Sequence, residues 1–316
     1  MPTTLQPWIV YAAGGWKDSP AACGVVVGNF DGVHLGHAEI IRRLVAACRG
    51  RGMPAAVLTF DPHPAAIVRP EAVPPPLTTI SRRAELLLAL GVDAVLVQPA
   101  DADLMRLSAE QFFRDMLQER LRAAALIEGA DFRFGAGRRG DVALLETLCR
   151  AANVSLEVVP PVIVGNTAVS SSRLRGLVAA GSVDEAAALA TAPYRLSGTV
   201  IEGAKRGGPL GFPTANLGAI ATLLPGQGVY AGWATVGNTG QRHPTAIHIG
   251  PNVSFGVEAV SVEAHLIGFR GDLYGATLHV DFLARLRDTR RFASLDELTT
   301  QLAADVARAA EIAREE

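Results

Sequence analysis

The sequence is poor in cysteine and has no excess of either charge. Its 316 residues include three cysteines, and 29 Lys and Arg residues stand against 31 Asp and Glu residues, for a formal net charge of −2. Cys23, Cys48 and Cys149 show neither CxxC spacing nor the Cys/His spacing of a metal site. This usage indicates a reduced, cytoplasmic protein. The balanced charge excludes the broadly basic surface of a nucleic-acid binder, so we expect no nucleic-acid partner.

Long hydrophobic runs are absent as well. Asp93 interrupts the run LLLALGVDAVLV, and Pro160 and Pro161 interrupt the run around residues 158–164. No run therefore approaches the roughly 20 residues that a bilayer-spanning helix needs. The amino-terminal stretch has no basic residue ahead of its short apolar run, which is not the pattern of a signal peptide. We expect a soluble protein with no membrane partner.

What the sequence does contain is a regular alternation over residues 24–180. Apolar runs predict strands over residues 24–30, 55–60, 93–98, 124–128 and 154–159. Helical patterns predict helices over residues 38–48, 81–90, 108–121 and 141–152. Strands that alternate with helices of about 10–15 residues indicate βαβ units and a parallel sheet. Ligands of such a sheet bind beyond the carboxyl ends of its strands. The Pro-rich stretch over residues 68–79 is predicted to be a loop over a site.

The pattern changes near Ser182. A short helix is predicted over residues 182–190, strands over residues 195–201, 229–235, 245–249, 260–269 and 277–282, and a final helix over residues 294–314. Short strands separated by glycine-containing turns predict a small antiparallel β-barrel or sandwich with a carboxyl-terminal helix. The chain is also about twice as long as a typical domain of ~100–200 residues. We therefore predict two domains, over residues 1–185 and 186–316.

The string GNFDGVHLGH (residues 28–37) stands at the end of the first predicted strand. Glycines let backbone N–H groups approach a ligand closely, and the amino-terminal end of the following helix favours an anion. His34 and His37 lie three residues apart in this frame, so both imidazoles can reach one phosphate group. A single histidine here is more simply a loop or capping residue. Two of them inside a Gly/Asp frame favour a phosphate site.

HxGH is the pattern of the α/β nucleotidyltransferases, and GNFDGVHLGH closely resembles the prokaryotic FAD synthetases, the bifunctional riboflavin kinase/FMN adenylyltransferases. Three further strings resemble that family in its order: TFDPHP (residues 59–64), EGADFRFG (residues 128–135) and SSSRLR (residues 170–175). Taken structurally, the three serines fit a helix N-cap, which is compatible with a phosphate site because both use the same N–H groups. The resemblance implies a Rossmann-like nucleotidyltransferase domain of the HxGH type.

The same resemblance implies roles for residues of the first domain. His34 and His37 are the implied catalytic residues, which stabilise the transferring phosphate while an FMN phosphate oxygen attacks the α-phosphorus of ATP and pyrophosphate leaves. The implied nucleotide and phosphate contacts are Gly28, Asn29, Phe30, Asp31, Gly36, Asp131, Ser171, Ser172, Arg173 and Arg175. The implied flavin contacts are Phe60, Pro62, His63 and Pro64. Ser172 replaces the usual Thr of the family and keeps the hydroxyl, so we expect little effect.

A second distinctive string is GFPTAN (residues 211–216), which alone fits a simple turn. Together with LLPGQGVYAGWA, VEAHL, DLYG and FLARLR, which follow in that order, it resembles the riboflavin kinase domain of the same family. The resemblance implies that Glu263 is the general base that takes the proton of the riboflavin 5′-hydroxyl. It further implies that Thr214 and Asn216 bind Mg²⁺ and the ATP phosphates, that Gly211 contacts the nucleotide and that Arg287 contacts the flavin. Hard oxygen ligands suit Mg²⁺.

The kinase half departs from the family pattern at several positions. Gly208 stands where the family has an arginine, His248 where it has Asn, Val253 and Ser254 where it has Pro-Thr, and Gly268 where it has Asp. Lys205 and Arg206 could supply the positive charge that is missing at Gly208.

The resemblance extends over roughly residues 22–310 and implies a bifunctional enzyme. Riboflavin and ATP give FMN and ADP in the second domain, and FMN and ATP give FAD and pyrophosphate in the first. The expected partners are thus the small molecules riboflavin, FMN and ATP; Mg²⁺ is expected for both steps, without a tightly bound redox cofactor. The oligomeric state is left open. Two alternatives also stay open: an FMN adenylyltransferase with weakened or lost kinase activity, and a non-catalytic flavin-binding protein.

Overall fold

The computed structural model describes residues 9–12, 21–203, 208, 210–237, 240–251 and 260–315. Its internal contacts divide the chain into two units. The first comprises residues 1–75 and 80–171, and the second comprises residues 76–79 and 172–316. The contacts thus change between Ser171 and Ser172, whereas the domain boundary predicted from the sequence lies between residues 185 and 186.

The first unit is built on a six-stranded sheet. Its strands are β1 (Ile9–Ala12), β2 (Cys23–Val27), β3 (Ala55–Asp61), β4 (Ala94–Pro99), β5 (Ala123–Gly129) and β6 (Ser155–Val159). They lie in the order β1-β4-β3-β2-β5-β6; β2 to β6 run parallel, and β1 pairs antiparallel with β4. The predicted parallel α/β sheet is confirmed. The strand order reverses between the neighbouring strands β2 and β5, and doubly wound sheets bind ligands at such a point.

The first unit also contains helices. They are α1 (Leu35–Arg49), α2 (Ala65–Val68), α3 (Ile80–Ala89), α4 (Ala102–Arg106), α5 (Ala109–Gln111) and α6 (Val142–Ala152). The helix predicted over residues 108–121 is only partly correct, because α5 continues as a π-helical segment over Phe112–Arg120. This wider turn buries two adjacent apolar pairs, Phe112 with Phe113 and Met116 with Leu117.

The loop predicted over residues 68–79 begins at the last residue of α2, contains a single 3₁₀ turn at Pro70–Ala72 and is otherwise irregular. A short hairpin of β7 (Ile163–Val164) and β8 (Thr167–Ala168) is absent from the predicted elements. Each of its strands has only two residues, which is too short for a periodic pattern.

Two apolar clusters lie on the two faces of the sheet. One contains side chains of α1 and α3, and the other contains side chains of the π-helical segment and α6. Successive residues of β2 alternate between them, with Val26 in the first cluster and Val25 and Val27 in the second. Burial on both faces explains why β2 reads as an unbroken apolar run. The loop that carries GNFDGVH begins where this buried strand ends, at Gly28.

The second unit is a closed β-barrel. After α7 (Ser171–Ala180) and α8 (Val183–Leu189) come β9 (Tyr194–Ile201), β10 (Ala215–Gly218), β11 (Gly228–Val236), β12 (Arg242–Pro251), β13 (Val260–Leu266), β14 (Thr277–Arg287) and α9 (Leu295–Glu315). The barrel order is β10-β13-β12-β11-β14-β9, and every neighbouring pair is antiparallel. Helix α9 packs against β11, β12 and β14. The predicted antiparallel barrel with a carboxyl-terminal helix is confirmed.

The barrel strands differ from the prediction in number and length. Strand β10 is missing from the prediction, since its four residues include Asn and Gly, which are depleted in strands. Strands β12 and β14 extend beyond the predicted residues 245–249 and 277–282, and β13 ends at Leu266 rather than at residue 269. Because the barrel is closed, each strand has a hydrogen-bonded neighbour on both sides. This pairing continues the strands into segments that have no apolar pattern and are therefore not predicted. No helix among the described residues is long and apolar enough to cross a membrane.

Candidate functional site

The chain leaves β2 in a tight loop over residues 28–34. Phe30 and Val33 have φ values of 49° and 35°. A positive φ is sterically unfavourable for residues with a Cβ, and most of all for a β-branched residue such as Val33. Both side chains are nevertheless buried in the apolar cluster shared by α1 and α3. Their burial holds a backbone conformation that is costly in isolation.

The two histidines cap α1 reciprocally. The backbone N–H of His37 donates to Nδ1 of His34, and the backbone N–H of His34 donates to Nδ1 of His37, both at 3.3 Å. The rings stack with their centroids 3.6 Å apart and their planes 18° apart. Since each Nδ1 accepts a hydrogen bond, each neutral ring carries its proton on Nε2. The His34–His37 pair therefore offers two Nε2–H donors.

Both rings are neutral at pH 7. Burial lowers the pKa of His34 to about 4, against the opposing effect of Asp131 and Asp31. Burial also lowers the pKa of His37 well below its ordinary value, and the electrostatic interactions with His34 and Arg83 act in the same direction. The pair can therefore bind a ligand through hydrogen bonds from its two Nε2–H groups rather than through a positive charge.

Asp31 connects the loop to the rest of the first unit. Its carboxylate accepts a hydrogen bond at 3.1 Å from Nη2 of Arg83 on α3, and both side chains are buried. Its carbonyl oxygen accepts a hydrogen bond at 2.7 Å from Oγ of Ser171. Two predicted site residues, Asp31 and Ser171, are therefore in contact. Arg83 is not predicted, because nothing in the sequence of α3 marks one arginine as the partner of a distant acid.

The segment after β3 also reaches the loop. The side-chain amide of Asn29 lies 2.9 Å from Nε2 of His63. Pro62, His63 and Pro64 form the connection between β3 and α2, whereas Phe60 lies in an apolar cluster with 9% exposure. The flavin contacts expected of these four residues stay predictions.

Glu128 at the end of β5 is a buried acid beside β2. Its Oε1 accepts the backbone N–H of Val27 at 2.8 Å, and the residue is 2% exposed. Burial raises the pKa of Glu128 well above its ordinary value, although the hydrogen bond from Val27 opposes this. Burial thus favours the protonated form of this carboxyl group. Glu128 is absent from the predicted site residues because its burial is not visible in the sequence.

Further predicted nucleotide and phosphate contacts of the first domain lie after β2, in α1 and in α7. Gly28 directly follows β2. Gly36 lies in the first turn of α1, where a Cβ would come within 3.1 Å of the His34 ring. Ser172, Arg173 and Arg175 lie near the start of α7, in the second unit. Their contacts with phosphate stay predictions.

In the second unit, three predicted residues meet on one face of the barrel. Asn216 on β10 lies opposite Glu263 on β13, which in turn lies opposite His248 on β12. Oγ1 of Thr214 donates to Oε2 of Glu263 at 3.2 Å, and Oγ of Ser261 donates to Oε1 at 3.1 Å. The structure thus brings Thr214, Asn216 and Glu263 together. Ser261 is a further contact that the sequence does not predict.

His265 anchors the segment that carries Thr214. Nδ1 of His265 donates to the carbonyl oxygen of Pro213 at 2.7 Å, and its ring meets the ring of Phe212 edge-on at 5.8 Å. Gly211, with φ of 86°, turns the chain into this segment. The carbonyl contact sets the position of the next residue, Thr214.

Some of the departures from the family pattern lie in the described residues. Burial lowers the pKa of His248, the charge of Glu263 opposes this and Arg287 adds to it. Gly208 is exposed, and Gly268 lies in the turn after β13 with φ of 76°. Val253, Ser254, Lys205 and Arg206 lie outside the described residues.

Arg287 at the end of β14 is bound by Asp305 of α9. Nε of Arg287 lies 3.1 and 3.0 Å from the two carboxylate oxygens, and Nη2 lies 2.6 Å from Oδ2. Both side chains are largely buried, so this pair fastens α9 to the barrel. The flavin contact of Arg287 stays a prediction. Asp305 is unpredicted because it reads as one more polar residue of an amphipathic helix.

The described residues contain no group of three or more His, Cys, Asp or Glu side chains suited to a metal ion. The Thr214 hydroxyl does contact the Glu263 carboxylate, and Asn216, with an amide oxygen in its side chain, lies opposite Glu263 in the strand register. Such hard donors fit Mg²⁺, which proteins commonly bind with few side chains and with substrate phosphates.

Comparisons with known proteins divide the chain in the same way as its two folds. A family model described as FAD synthetase matches residues 17–173, and one described as riboflavin kinase matches residues 190–313. The bifunctional riboflavin kinase/FMN adenylyltransferase of Escherichia coli strain K12 is 34% identical over 284 residues, which is 90% of each chain. That of Pseudomonas fluorescens is 37% identical over 293 residues, 92% of this chain and 93% of the relative.

A similar solved structure is the crystal structure of a protein named macrolide-efflux protein from Streptococcus pneumoniae. It has a TM-score of 0.80 and 30% identity, and the match covers 90% of this chain and 93% of that one. Similarity over nearly the whole length, together with both family matches, assigns the two units to two known domains. The chain therefore belongs to the bifunctional riboflavin kinase/FMN adenylyltransferase family, with an FAD synthetase domain followed by a riboflavin kinase domain.

Proposed function

We propose that the His34–His37 pair is the centre of the adenylyl-transfer site. The single observation that carries this proposal is the reciprocal capping, which leaves two Nε2–H donors side by side where the strand order reverses. An FMN phosphate oxygen forms a bond to the α-phosphorus of ATP while the bond to the β-phosphate oxygen breaks. Donors that are already aligned stabilise the charge of this transition state without reorganisation. Ser171, in the same unit as the His34–His37 pair, binds the departing phosphates.

We propose that Glu263 is the general base of the kinase reaction. It accepts the proton of the riboflavin 5′-hydroxyl as that oxygen attacks the γ-phosphorus of ATP and ADP leaves. Thr214 and Ser261 orient its carboxylate through hydrogen bonds to both oxygens. Thr214 and Asn216 would hold Mg²⁺, which supplies neutralisation of the phosphate charge when bound.

The test is an incubation of the purified chain with riboflavin, ATP and Mg²⁺, followed by chromatographic separation of the flavins. Formation of FAD supports both proposed sites. Accumulation of FMN alone contradicts the adenylyl-transfer site, and unchanged riboflavin contradicts the kinase site. A second incubation with FMN in place of riboflavin measures adenylyl transfer by itself. Omission of Mg²⁺ with a chelator present should stop both reactions.

The second candidate function is an FMN adenylyltransferase with weakened or lost kinase activity. His248 favours it, because a histidine replaces the family Asn directly opposite Glu263. It predicts FAD from FMN but little FMN from riboflavin. A non-catalytic flavin-binding protein is less well supported, since binding alone requires neither an oriented base at Glu263 nor aligned donors at His34 and His37.

We further propose that the enzyme acts in the cytoplasm on small molecules, without a nucleic-acid partner. Its three cysteines are free and buried, and its formal net charge is −2. These properties fit a reducing compartment and ligands whose phosphates are bound locally. Retention of the chain in a soluble, nucleic-acid-free fraction after cell lysis at low salt is the expected result.

A further inference from the structure

Arg83 and Asp31 form a buried ion pair next to the His34–His37 pair. Nη2 of Arg83 lies 3.1 Å from Oδ1 of Asp31, and only 8% and 4% of the two side chains are exposed. The helix that carries Arg83 is itself fixed, because the next residue, Ala84, packs in the same apolar cluster as Val33. The ion pair therefore connects a fixed helix with the loop over residues 28–34.

The loop needs such a connection because its backbone is strained. Asp31 lies between Phe30 and Val33, whose φ values of 49° and 35° are both positive. A strained segment persists only where its surroundings hold it in place. Arg83 binds the Asp31 carboxylate, and Ser171 binds the Asp31 carbonyl oxygen. The position of His34, which ends the loop, depends on these contacts.

Arg83 also places a positive charge near His37. This charge lowers the pKa of His37, in addition to burial and the effect of His34. The other charged groups that act on the His34–His37 pair are Asp31 in the loop and Asp131 after β5, which act on His34. Protonation of His37 at Nδ1 would remove the acceptor of the His34 N–H and open the reciprocal cap. A nearby positive charge disfavours that protonation.

We infer that Arg83 is a positioning residue for adenylyl transfer, which holds the loop over residues 28–34 through Asp31. The inference deepens the proposed function and rests on the proposed role of His34 and His37. Arg83 acts through these residues and does not itself contact the substrates.

The test compares Arg83→Ala and Arg83→Lys with the wild-type chain. Arg150→Ala is the matched control, since Arg150 forms an exposed ion pair with Glu146 on α6. FAD formation from FMN and FMN formation from riboflavin are measured in the same preparations. We expect Arg83→Ala to lower kcat/KM of FAD formation roughly 10- to 100-fold at neutral pH, the size of effect that misplacement of reacting groups causes. FMN formation and the Arg150→Ala variant should stay close to wild type.

The pH profile distinguishes this role from a purely structural one. Because Arg83 lowers the pKa of His37, its removal should move the acid limb of FAD formation to higher pH. Arg83→Lys keeps the positive charge, so its acid limb should stay in place and most of the activity should return. Wild-type activity of Arg83→Ala overturns the inference, as does a loss that is equal at every pH or equal in the Lys variant.

Arg83→Ala leaves Asp31 buried without its ion-pair partner, which can prevent folding. If Arg83→Ala does not fold, the double variant Arg83→Met/Asp31→Asn, which removes both charges, is used in its place. Circular dichroism first confirms that the double variant is folded. We expect it to stay deficient in FAD formation, and full activity overturns the inference. His37→Ala belongs to the same series: if it is active, the proposed site is wrong. If it is inactive while Arg83→Ala is fully active, only the role of Arg83 is wrong.

Discussion

Glu263 receives hydrogen bonds at both carboxylate oxygens, from Thr214 and Ser261. Glu263→Gln keeps the size of the side chain but removes the proton acceptor. We predict that it lowers kcat of FMN formation by about 10²- to 10⁴-fold, the usual contribution of a general base, and leaves FAD formation from FMN unchanged. Separation of FMN and FAD by chromatography measures both rates.

Glu311→Gln is the control for this substitution, because Glu311 forms an exposed ion pair with Arg308 on α9. Both reactions should proceed at the wild-type rate in that variant. Loss of both reactions in Glu263→Gln would mean that the two sites do not work independently.

The buried carboxyl group of Glu128 should make the free energy of unfolding depend on pH. Burial raises its pKa in the folded chain, so the folded state binds a proton that the unfolded state releases above the ordinary Glu pKa. Stability is therefore lost as the pH rises from that ordinary value toward the raised one. Glu128→Gln keeps an acceptor for the Val27 N–H without titrating, and should be more stable than wild type at pH 8.

Denaturant unfolding at pH 8 and at pH 4 measures this difference, which should largely vanish at pH 4. Glu157→Gln is the control, since Glu157 pairs with Arg43 at the surface. A Glu128→Gln variant that is no more stable than wild type at pH 8 would contradict a raised pKa of the buried Glu128 carboxyl group.

At the scale of residues, the sequence predicts those that stand in short, unusual strings. His34 and His37 lie within one such string, and Thr214 and Asn216 within another. Arg83, Glu128 and Asp305 are unpredictable for a common reason. Each gains its role from burial and from a partner 52, 101 or 18 residues away in the chain. The neighbouring residues in the sequence do not indicate such pairing.

The first turn of α1 contains a glycine that helix propensity alone would disfavour. At Gly36 a Cβ would come within 3.1 Å of Nδ1 and Cε1 of His34, so Gly36→Ala should displace the ring. We predict a roughly 10- to 100-fold lower rate of FAD formation, as expected for a misplaced catalytic group. FMN formation should be unchanged, and steady-state rates of both reactions measure the effect.

Gly176→Ala in α7 is the matched control, because a Cβ at Gly176 meets no atom within 4 Å. There the usual gain of roughly 0.5–1 kcal/mol for Ala over Gly in a helix should appear as a higher unfolding temperature. Full activity of Gly36→Ala would show that the His34 ring does not need this space.

At the scale of elements, burial decides what the sequence can predict. The parallel strands β2 to β5 are predictable because apolar runs mark them clearly. Strand β10 is not, because only closure of the barrel makes ANLG a strand. The π-helical segment over Phe112–Arg120 has an ordinary helical composition. Its hydrogen bonds reach one residue further than in an α-helix, and composition does not report that choice.

Each unit of the whole molecule has its own fold and its own candidate catalytic residues. We therefore predict that His37→Ala and Glu263→Gln chains complement each other when mixed. Neither variant alone should convert riboflavin to FAD, whereas the mixture should, because the first releases FMN that the second adenylylates. The rate of FAD formation should rise with the concentration of both chains, which a chromatographic time course measures. Absence of FAD from the mixture, with each remaining reaction intact, would mean that FMN is not released into solution.

The change from a parallel α/β pattern to alternating strands makes the two-domain architecture predictable at this scale, because hydrophobic periodicity reflects the layer that each element covers. The point of division is harder to predict. Residues 76–79 group with the second unit although they precede most of the first in sequence. A single boundary in the sequence cannot assign residues 76–79 to the second unit and the residues on both sides of them to the first.

The closed barrel has a consequence for aggregation. Every described barrel strand has hydrogen-bonded neighbours on both sides, so the described part of the barrel offers no edge onto which a strand of another chain can add. The sheet of the first unit, by contrast, ends at β1 and β6. The β6 edge carries Glu157, and charged side chains at an edge oppose intermolecular strand pairing. Substitutions that loosen the first unit are therefore the ones expected to make this enzyme insoluble, and the barrel is the safer half in which to vary its sequence.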